Sequence, residues 1–455
     1  MSILSIQPSR RPLVPAADVR AIFLRMRWQA LFGVFLGYAA YYLVRNNFAF
    51  SSSYLNGNLG WSKTEIGLLM SCMLVSYGIS KGVMSALADK ADVRRYMIVG
   101  LLFSALFNFL LGLTSAFWMF AIILVLNGWV QGMGVGPSVV AIAHWFPRRL
   151  RGTASGLWNI SHNVGGGLVA PIITGAIGFL TVSKWPIACY WVPAAIVVLC
   201  CIVIYAIGCS VPTSEGLPPL EEVFPEESQN ELVKTDNTDR EKSTWQIFCK
   251  YVLPNPNAWF VSILDICVYA VRFGVLTWIP LYLLKVKGLS HKEMAVAFLI
   301  FELAAIPSTL LAGIISDKVF HGRRMVPALF AFVVIFVSIF VYWSSSSLLV
   351  INVSLSLIGC MVYVGQCMAY VQTMEIVPQI AVGAATGLRG LMSYIVGASM
   401  GTALFGFLAD RFGWVAGFYL LVIFVVLGLF ACAMMHMSVL RLEKKKAAAT
   451  VAVAA

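Results

Sequence analysis

Long apolar stretches alternate with short polar loops along the whole chain. A helix that crosses a bilayer needs about 20 mainly apolar residues, and twelve stretches reach that length. The pattern therefore predicts an all-α membrane protein with twelve transmembrane helices. We expect these spans near residues 28–52, 64–88, 95–113, 116–143, 153–180, 186–209, 256–284, 293–316, 325–342, 346–372, 382–409 and 413–437.

The composition agrees with a membrane protein and excludes several other classes. Hydrophobic residues make up 60% of the 455 positions and charged residues 11%, whereas soluble domains carry about 25% charged residues. So few charges cannot cover an apolar core in water. This excludes a soluble enzyme, a disordered chain and a nucleic-acid binder, despite the net charge of +12. The ten cysteines are scattered without a C-x-x-C pair, which favours free thiols packed between helices.

The positions of the basic residues predict how the chain is oriented. Of the 32 lysines and arginines, 22 fall in the two tails, the central polar segment and alternate loops, and six fall in the opposite loops. Because basic residues accumulate in cytoplasmic loops, both termini are predicted to lie in the cytoplasm. The first apolar stretch is too long for the core of a signal peptide, so we expect it to remain as a span.

One long polar segment separates two sets of six predicted spans. It carries nine carboxylates and several prolines, which is typical of a solvated linker rather than a folded domain. The predicted organisation is a cytoplasmic N-terminal tail (1–27), an N-terminal six-helix half (28–210), a cytoplasmic linker (211–254), a C-terminal six-helix half (255–438) and a cytoplasmic C-terminal tail (439–455).

Short motifs recur in the two halves in the same order. Tyr42-x-x-Arg45 returns 227 residues later as Tyr269-x-x-Arg272, and the loop that begins at Asp89 returns 228 residues later. Two parallel six-helix repeats are the architecture of the major facilitator superfamily, whose substrate sites lie near the midplane between the repeats. The sequence has no G-x-x-x-x-G-K-[ST] motif, which argues against an ABC-type permease.

Charged residues inside the predicted spans point to an anionic ligand. A charge at the bilayer centre is costly, yet four basic residues and two acids, Asp265 and Glu302, lie inside the predicted spans away from their ends. The basic residues are Arg45, Lys81, Arg272 and Arg389. The repeat would place two of the arginines on opposite walls of one cavity. Two facing guanidinium groups suit a phosphate, because each donates two hydrogen bonds. The alternative is that each arginine only ties helices together.

Other polar and aromatic residues share helix faces with these arginines. Tyr38 and Tyr42 precede Arg45 at helical spacing, and Tyr269 stands in the same relation to Arg272. Three further candidates lie in the predicted fifth span, at Trp158, Asn159 and His162. The histidine can share a proton with a phosphate near neutral pH, although a satisfied core histidine is the alternative. Lys81 can also snorkel to the cytoplasm. The sequence predicts no catalytic group, metal or cofactor.

Several runs of the sequence resemble a known family, the organophosphate:phosphate antiporters of the major facilitator superfamily. The resemblance covers essentially the whole chain and is clearest in the runs 37–45, 131–134 and 158–166 and in Tyr269-x-x-Arg272. It implies uptake of a sugar phosphate into a bacterium through the inner membrane, in exchange for inorganic phosphate, by a functional monomer working by alternating access. It also implies that Arg45 and Arg272 grip the phosphoryl group, with His162 nearby.

Two positions depart from the family pattern. The family often has a lysine directly after the first arginine, where this chain has Asn46, so one cation is lost. A Tyr-Gly-Pro pattern is expected in the tenth span, where this chain reads Tyr363-Val364-Gly365-Gln366. The shape of the cavity on that side is therefore left open.

The prediction of a substrate rests on Arg389, which is the repeat partner of Trp158 and shares a helix face with Thr386 and Ser393. Family members that carry hexose phosphates also have a cation there, so we expect hexose 6-phosphate, chiefly glucose 6-phosphate. One alternative is glycerol 3-phosphate:phosphate antiport. Another is a non-transporting sugar-phosphate sensor, since one family member signals. A third is that Arg389 pairs with Glu302 or faces solvent.

Four charged residues near the cytoplasmic ends of the second and eighth spans are candidate gating residues. They are Asp89, Arg94, Asp317 and Arg323. Ion pairs that form in only one state of a transport cycle bias the equilibrium between states. Neutralising either aspartate is therefore predicted to alter turnover more than binding.

Overall fold

The computed structural model describes residues 14–15, 18–88, 91–225, 244–320, 323–377 and 381–454. All of the elements assigned within these ranges are helices, as the apolar pattern predicts. The ten cysteines are free thiols, which agrees with their scattered spacing.

The first part of the chain forms eight α-helices, with a 3₁₀ turn or a π-helical segment beside some of them. They are α1 (Val19–Asn58), α2 (Lys63–Ala88), α3 (Val93–Leu111), α4 (Phe117–Gln131), α5 (Val135–Trp145), α6 (Arg148–Leu180), α7 (Val192–Ile207) and α8 (Leu220–Val223). The 3₁₀ turn Gly132–Gly134 joins α4 to α5, and the π-helical segment Ile187–Trp191 leads into α7.

The second part contains nine more α-helices within the described ranges. They are α9 (Thr244–Ile247), α10 (Pro256–Lys285), α11 (His291–Leu303), α12 (Ala305–Lys318), α13 (Met325–Ser344), α14 (Leu348–Glu375), α15 (Val382–Met392), α16 (Phe405–Arg411) and α17 (Trp414–Ala454). Two π-helical segments, Ser393–Ala398 and Met400–Leu404, connect α15 to α16. Helix α17 extends through most of the predicted C-terminal tail.

Eleven helical stretches within the described residues are long and apolar enough to cross a membrane. Their ends lie within about four residues of eleven of the predicted spans, because length and hydropathy are local properties of the sequence. The remaining predicted span, 28–52, lies inside α1. That helix has 40 residues, which is ample length, but Arg45, Asn46, Asn47 and the serines at 51–53 make this part of it less apolar than the other spans.

Contacts between Cα atoms group the described residues into two compact units, and each is described by itself. The first unit draws on Met1–Trp61, Leu69–Val233 and Trp278–Leu303. In it, α1 packs along α6, and α6 also packs on α11. A Cβ atom at Gly165 would lie 2.7 Å from the carbonyl carbon of Ala39, so glycine is needed for α6 to approach α1 this closely.

The second unit draws on Ser62–Leu68, Lys234–Thr277 and Ala304–Ala455. In it, α13 packs on α14 and α17, and α14 also contacts α12. The π-helical segment Ser393–Ala398 lies against α10, where a Cβ atom at Gly397 would come within 2.5 Å of the Ile266 carbonyl oxygen. Close approach here brings α10 and the end of α15 together. The division into two six-helix halves at 28–210 and 255–438 stays a prediction.

The described ends of the predicted linker are packed rather than fully solvated. After α7, Leu220 and Phe224 are buried, and the Phe224 ring contacts Phe23 at 5.6 Å. Before α10, Ile247 and Val252 belong to an apolar cluster in the second unit. Apolar residues near both ends of this polar segment explain the difference from the predicted solvated linker.

Candidate functional site

Helix α1 is kinked at Val44, directly before Arg45. The backbone angles of Val44 (φ −100°, ψ 15°) interrupt the helix. The Arg45 side chain is buried, with 2% of its surface exposed. Its guanidinium carbon lies 4.5 Å from the Tyr42 ring centroid and 3.9 Å from that of Tyr77. Its Nε atom donates to Oε1 of Gln131. Two aromatic faces and an amide oxygen therefore fix this guanidinium group.

The other residues predicted for this face form a continuous set of rings with Arg45. The Tyr38 ring lies 5.5 Å from that of Tyr42 and 4.7 Å from that of Trp158. The His162 ring, which is also buried, lies 5.3 Å from the Tyr42 ring. Residues from α1 and α6 that are more than 100 positions apart in sequence thus meet. We call these five residues the Arg45 cluster.

Two further predicted residues lie beside this cluster. Lys81 is half-buried on α2, one helical turn after Tyr77, whose hydroxyl group is 3.4 Å from that of Tyr38. Asn159 is half-buried directly after Trp158. The Nε1 atom of Trp158 is buried and makes no hydrogen bond with the described residues.

At position 46, where the family often has a lysine, this chain has an asparagine that binds a buried carboxyl group. Asn46 donates a hydrogen bond of 3.3 Å to Oε1 of Glu302, and Asn163 donates one of 3.2 Å to Oε2. The Glu302 side chain is fully buried. Neutral amides therefore satisfy part of a buried carboxyl group here.

Arg272 is surrounded in a similar way in the second unit. It is 2% exposed, and its guanidinium carbon lies 4.7 Å from the ring centroid of Tyr363. One turn earlier on α10, the Tyr269 hydroxyl accepts a hydrogen bond of 3.2 Å from Gln366. The Tyr269 ring also lies 5.0 Å from that of Tyr394. Tyr363 and Gln366 belong to the run where the chain departs from the family pattern.

Arg389 has a partner that the sequence analysis did not assign to it. Its Nη1 atom lies 3.1 Å from Oδ2 of Asp265, which also accepts a hydrogen bond of 2.6 Å from Ser393. Arg389 is buried, so the alternative that it faces solvent is wrong. Arg389 was expected to add a positive charge to the cavity, but the carboxylate of Asp265 balances that charge.

The candidate gating residues are only partly within the described ranges. Asp89 lies outside them, and for Asp317 only the backbone, in α12, is described. Among the described residues, Arg94 donates to the carbonyl oxygen of Gly208 at 3.2 Å. Arg323 is exposed. Its neighbour Arg324 was not among the predicted gating residues, yet the Nε atom of Arg324 is 2.9 Å from Oε1 of Glu375.

Sequence reasoning also missed residues that complete the two arginine environments. Gln131 and Tyr77 contact Arg45 from α4 and α2, and Gln366 contacts Tyr269 from α14. The spacing of Tyr77 one turn before Lys81 was an available signal. Gln131 lies in a run that carries the family resemblance, but its contact with Arg45 depends on how α4 packs against α1.

Residues 34–402 match the sequence profile of the Major Facilitator Superfamily. Over 436 residues the chain is 53% identical to the phosphoglycerate transporter protein of Salmonella typhimurium, covering 95% of this chain and 94% of that protein. The chain belongs to the organophosphate:phosphate antiporters of the major facilitator superfamily. The chain is also 37% identical to the glycerol-3-phosphate transporter of Bacillus subtilis, over 88% of this chain and 90% of that protein. It is 33% identical to the hexose-6-phosphate:phosphate antiporter of Salmonella typhimurium (87% of each).

Solved structures agree with the fold of this antiporter-family chain. A bacterial homologue of the human lysosomal transporter Spinster, in an inward-facing occupied conformation, superposes with a TM-score of 0.71 over 91% of this chain and 97% of that one, at 15% identity. The predicted family, the major facilitator fold and a multi-pass membrane transporter rather than an enzyme are therefore confirmed. The roles of the individual site residues stay predictions.

Proposed function

We propose that this antiporter-family protein exchanges a phosphoglycerate for inorganic phosphate by alternating access, with Arg45 and Arg272 binding the phosphoryl group. The observation that supports this most is the pair of arginines at equivalent positions of the internal repeat. Each is 2% exposed, and each has its guanidinium group against a tyrosine ring. Guanidinium groups held in this way suit the oxygens of a phosphate.

Phosphoglycerate is the first choice of ester because the relative that carries this name is 53% identical over nearly the full length of both chains. Its carboxylate gives it one negative charge more than a hexose phosphate. We propose that Lys81 binds this carboxylate, since it lies one helical turn from Tyr77, which contacts Arg45. In that case Lys81→Met raises the KM for a phosphoglycerate more than the KM for inorganic phosphate.

Hexose 6-phosphate is the second candidate. It is favoured by the 33% identical hexose-6-phosphate:phosphate antiporter and by the cation at Arg389. The ion pair between Arg389 and Asp265 weakens the argument, because that cation is already matched by a carboxylate. Glycerol 3-phosphate is supported by a 37% identical transporter, but it lacks the carboxylate that would use a further cation.

Competition against phosphate uptake decides between the esters. Proteoliposomes loaded with phosphate take up labelled phosphate in the presence of 3-phosphoglycerate, glucose 6-phosphate or glycerol 3-phosphate. We expect 3-phosphoglycerate to inhibit at the lowest concentration. Stronger inhibition by glucose 6-phosphate would overturn the choice of ester but not the exchange itself. A sensor would bind the ester without any uptake of label.

We propose that both termini lie in the cytoplasm and that the protein resides in the inner membrane of a bacterium. The support is the 22-to-6 distribution of basic residues together with the bacterial origin of the relatives. Alkaline phosphatase fused after residue 455 is expected to be inactive, since this enzyme requires export. An active fusion would reverse the orientation. We also propose that the monomer is the functional unit.

A further inference from the structure

Four buried amide side chains of the first unit form a network around the kink in α1. Three of them donate to the same atom, the carbonyl oxygen of Val44. The donors are Asn108 at 3.2 Å, Asn127 at 3.3 Å and Gln131 at 3.2 Å. The fourth amide, Asn47, donates to Asn108 at 2.7 Å and to the Cys189 carbonyl oxygen at 2.9 Å.

The kink explains why such a network is needed. The backbone angles at Val44 depart from helical values, which tilts its carbonyl group out of the regular hydrogen-bond pattern of α1. A buried carbonyl group without a partner is costly, and side-chain donors satisfy it here. Asn108 reaches it from α3, and Asn127 and Gln131 reach it from α4.

Gln131 differs from the other donors because it also holds the side chain that follows the kink. Its Nε2 atom donates to Val44, while its Oε1 atom accepts from Nε of Arg45. One amide group therefore ties the bent backbone to the guanidinium group. With Nε bound to Gln131 and the guanidinium carbon 4.5 Å and 3.9 Å from the ring centroids of Tyr42 and Tyr77, the orientation of the Nη groups is set before any ligand arrives.

We infer that Gln131 is a positioning residue for phosphate recognition: it fixes the guanidinium group of Arg45 in the orientation that binds the phosphoryl group. This inference rests on the proposed role of Arg45. An arginine side chain has many rotamers, and a binding site that orders them beforehand avoids that entropic loss when the ligand binds. The same pre-ordering acts on every ligand that carries a phosphoryl group.

The internal repeat makes this device specific to one arginine. At the offset of 227 residues that relates Arg45 to Arg272, the equivalents of Asn127 and Gln131 are Ser354 and Ile358, which carry no amide group. No equivalent amide can therefore reach Arg272 from these positions. Gln131 is thus expected to affect the Arg45 side of the site alone.

The test is the substitution Gln131→Met, which keeps the length of the side chain but removes its hydrogen bonds to Val44, Arg45 and Asn127. Val44 retains two donors, so we expect the protein to insert and melt close to the wild-type temperature. The KM for phosphate in phosphate self-exchange is expected to rise about tenfold, which corresponds to about 1.4 kcal/mol. The KM for 3-phosphoglycerate is expected to rise by the same factor, and the maximal rate per inserted molecule to stay within threefold.

Asn108→Leu is the matched control. It also removes a buried amide that donates to Val44, together with the hydrogen bonds of Asn108 to Asn47 and to the Ser104 carbonyl oxygen. The hydrogen bond between Gln131 and Arg45 is left in place. We expect it to lower the melting temperature at least as much as Gln131→Met while the KM stays within twofold. If Gln131→Met does not insert, the substitution Gln131→Asn replaces it, since asparagine retains an amide but its side chain is one carbon shorter. The same rise in the KM for phosphate is then expected.

An unchanged KM in the Gln131 variant that inserts would overturn the inference. A rise as large in Asn108→Leu would also overturn it, because the effect would then belong to the whole network. Both results presuppose that the wild-type protein exchanges phosphate. A wild-type protein without exchange would instead refute the proposed function, so the two failures are distinguishable.

Discussion

Replacing Arg45 by lysine tests the chemistry of the phosphate site without removing its charge. Lysine keeps one positive charge but has no planar fork, and it has no Nε donor for Gln131. At least one hydrogen bond between a charged donor and the phosphate is lost. Such a bond contributes about 1.5–3 kcal/mol, and about 1.4 kcal/mol is a factor of ten, so exchange below the KM is expected to fall roughly tenfold to 150-fold.

The assay is uptake of labelled phosphate by phosphate-loaded proteoliposomes, divided by the amount of inserted protein. Arg272→Lys is measured beside it and is expected to lose exchange to a similar degree. Arg411→Lys is the control, since Arg411 is exposed at the end of α16, and it is expected to exchange at the wild-type rate. Exchange within twofold of wild type in both buried lysine variants would refute the phosphate-clamp reasoning.

Three other predictions concern charged groups. Asp410 accepts hydrogen bonds from the backbone nitrogens of Lys63 (3.1 Å) and Thr64 (2.5 Å) at the start of α2, so Asp410→Ala is expected to cost about 1 kcal/mol in thermal unfolding; an unchanged melting temperature would contradict this. Asp265→Asn leaves Arg389 buried without its carboxylate and is expected to destabilise the protein by about 3–5 kcal/mol. Adding a second substitution at Arg389, to Met, should recover most of that loss, and no recovery would argue against the ion pair. Asp317→Asn is expected to change turnover more than ligand binding; equal losses of both would indicate misfolding instead.

The fold was largely predictable because its signals are local. Span length and hydropathy located eleven membrane helices to within about four residues at each end. The kink at Val44 was not predictable from these signals, since neither proline nor glycine stands there. It depends on donors from α3 and α4 that meet α1 only in the folded protein.

The site was predictable where its residues share one helix face. Tyr38, Tyr42 and Arg45 follow helical spacing, and the structure brings them together with Trp158 and His162. Contacts between helices were harder to predict. The partner of Arg389 is Asp265, which is 124 positions away, and neither residue's own helix pattern identifies the other.

The choice of substrate shows the same limit. One buried cation at residue 389 favoured a hexose phosphate while it was considered alone. Once Asp265 is placed beside it at 3.1 Å, that residue no longer adds net charge, and the argument for a larger sugar loses its main support. The net charge of a buried site depends on which charged side chains form ion pairs. Counting cations along the sequence therefore overestimates the positive charge that is available to a ligand.

Counterflow decides whether this protein is an exchanger. Purified protein is reconstituted into liposomes loaded with labelled phosphate, and 3-phosphoglycerate is added outside. We predict efflux of label that requires external 3-phosphoglycerate or phosphate and that falls at least about tenfold in the Arg45→Lys and Arg272→Lys variants. Binding of 3-phosphoglycerate without any efflux of label from the wild-type protein would contradict transport and would indicate a sensor.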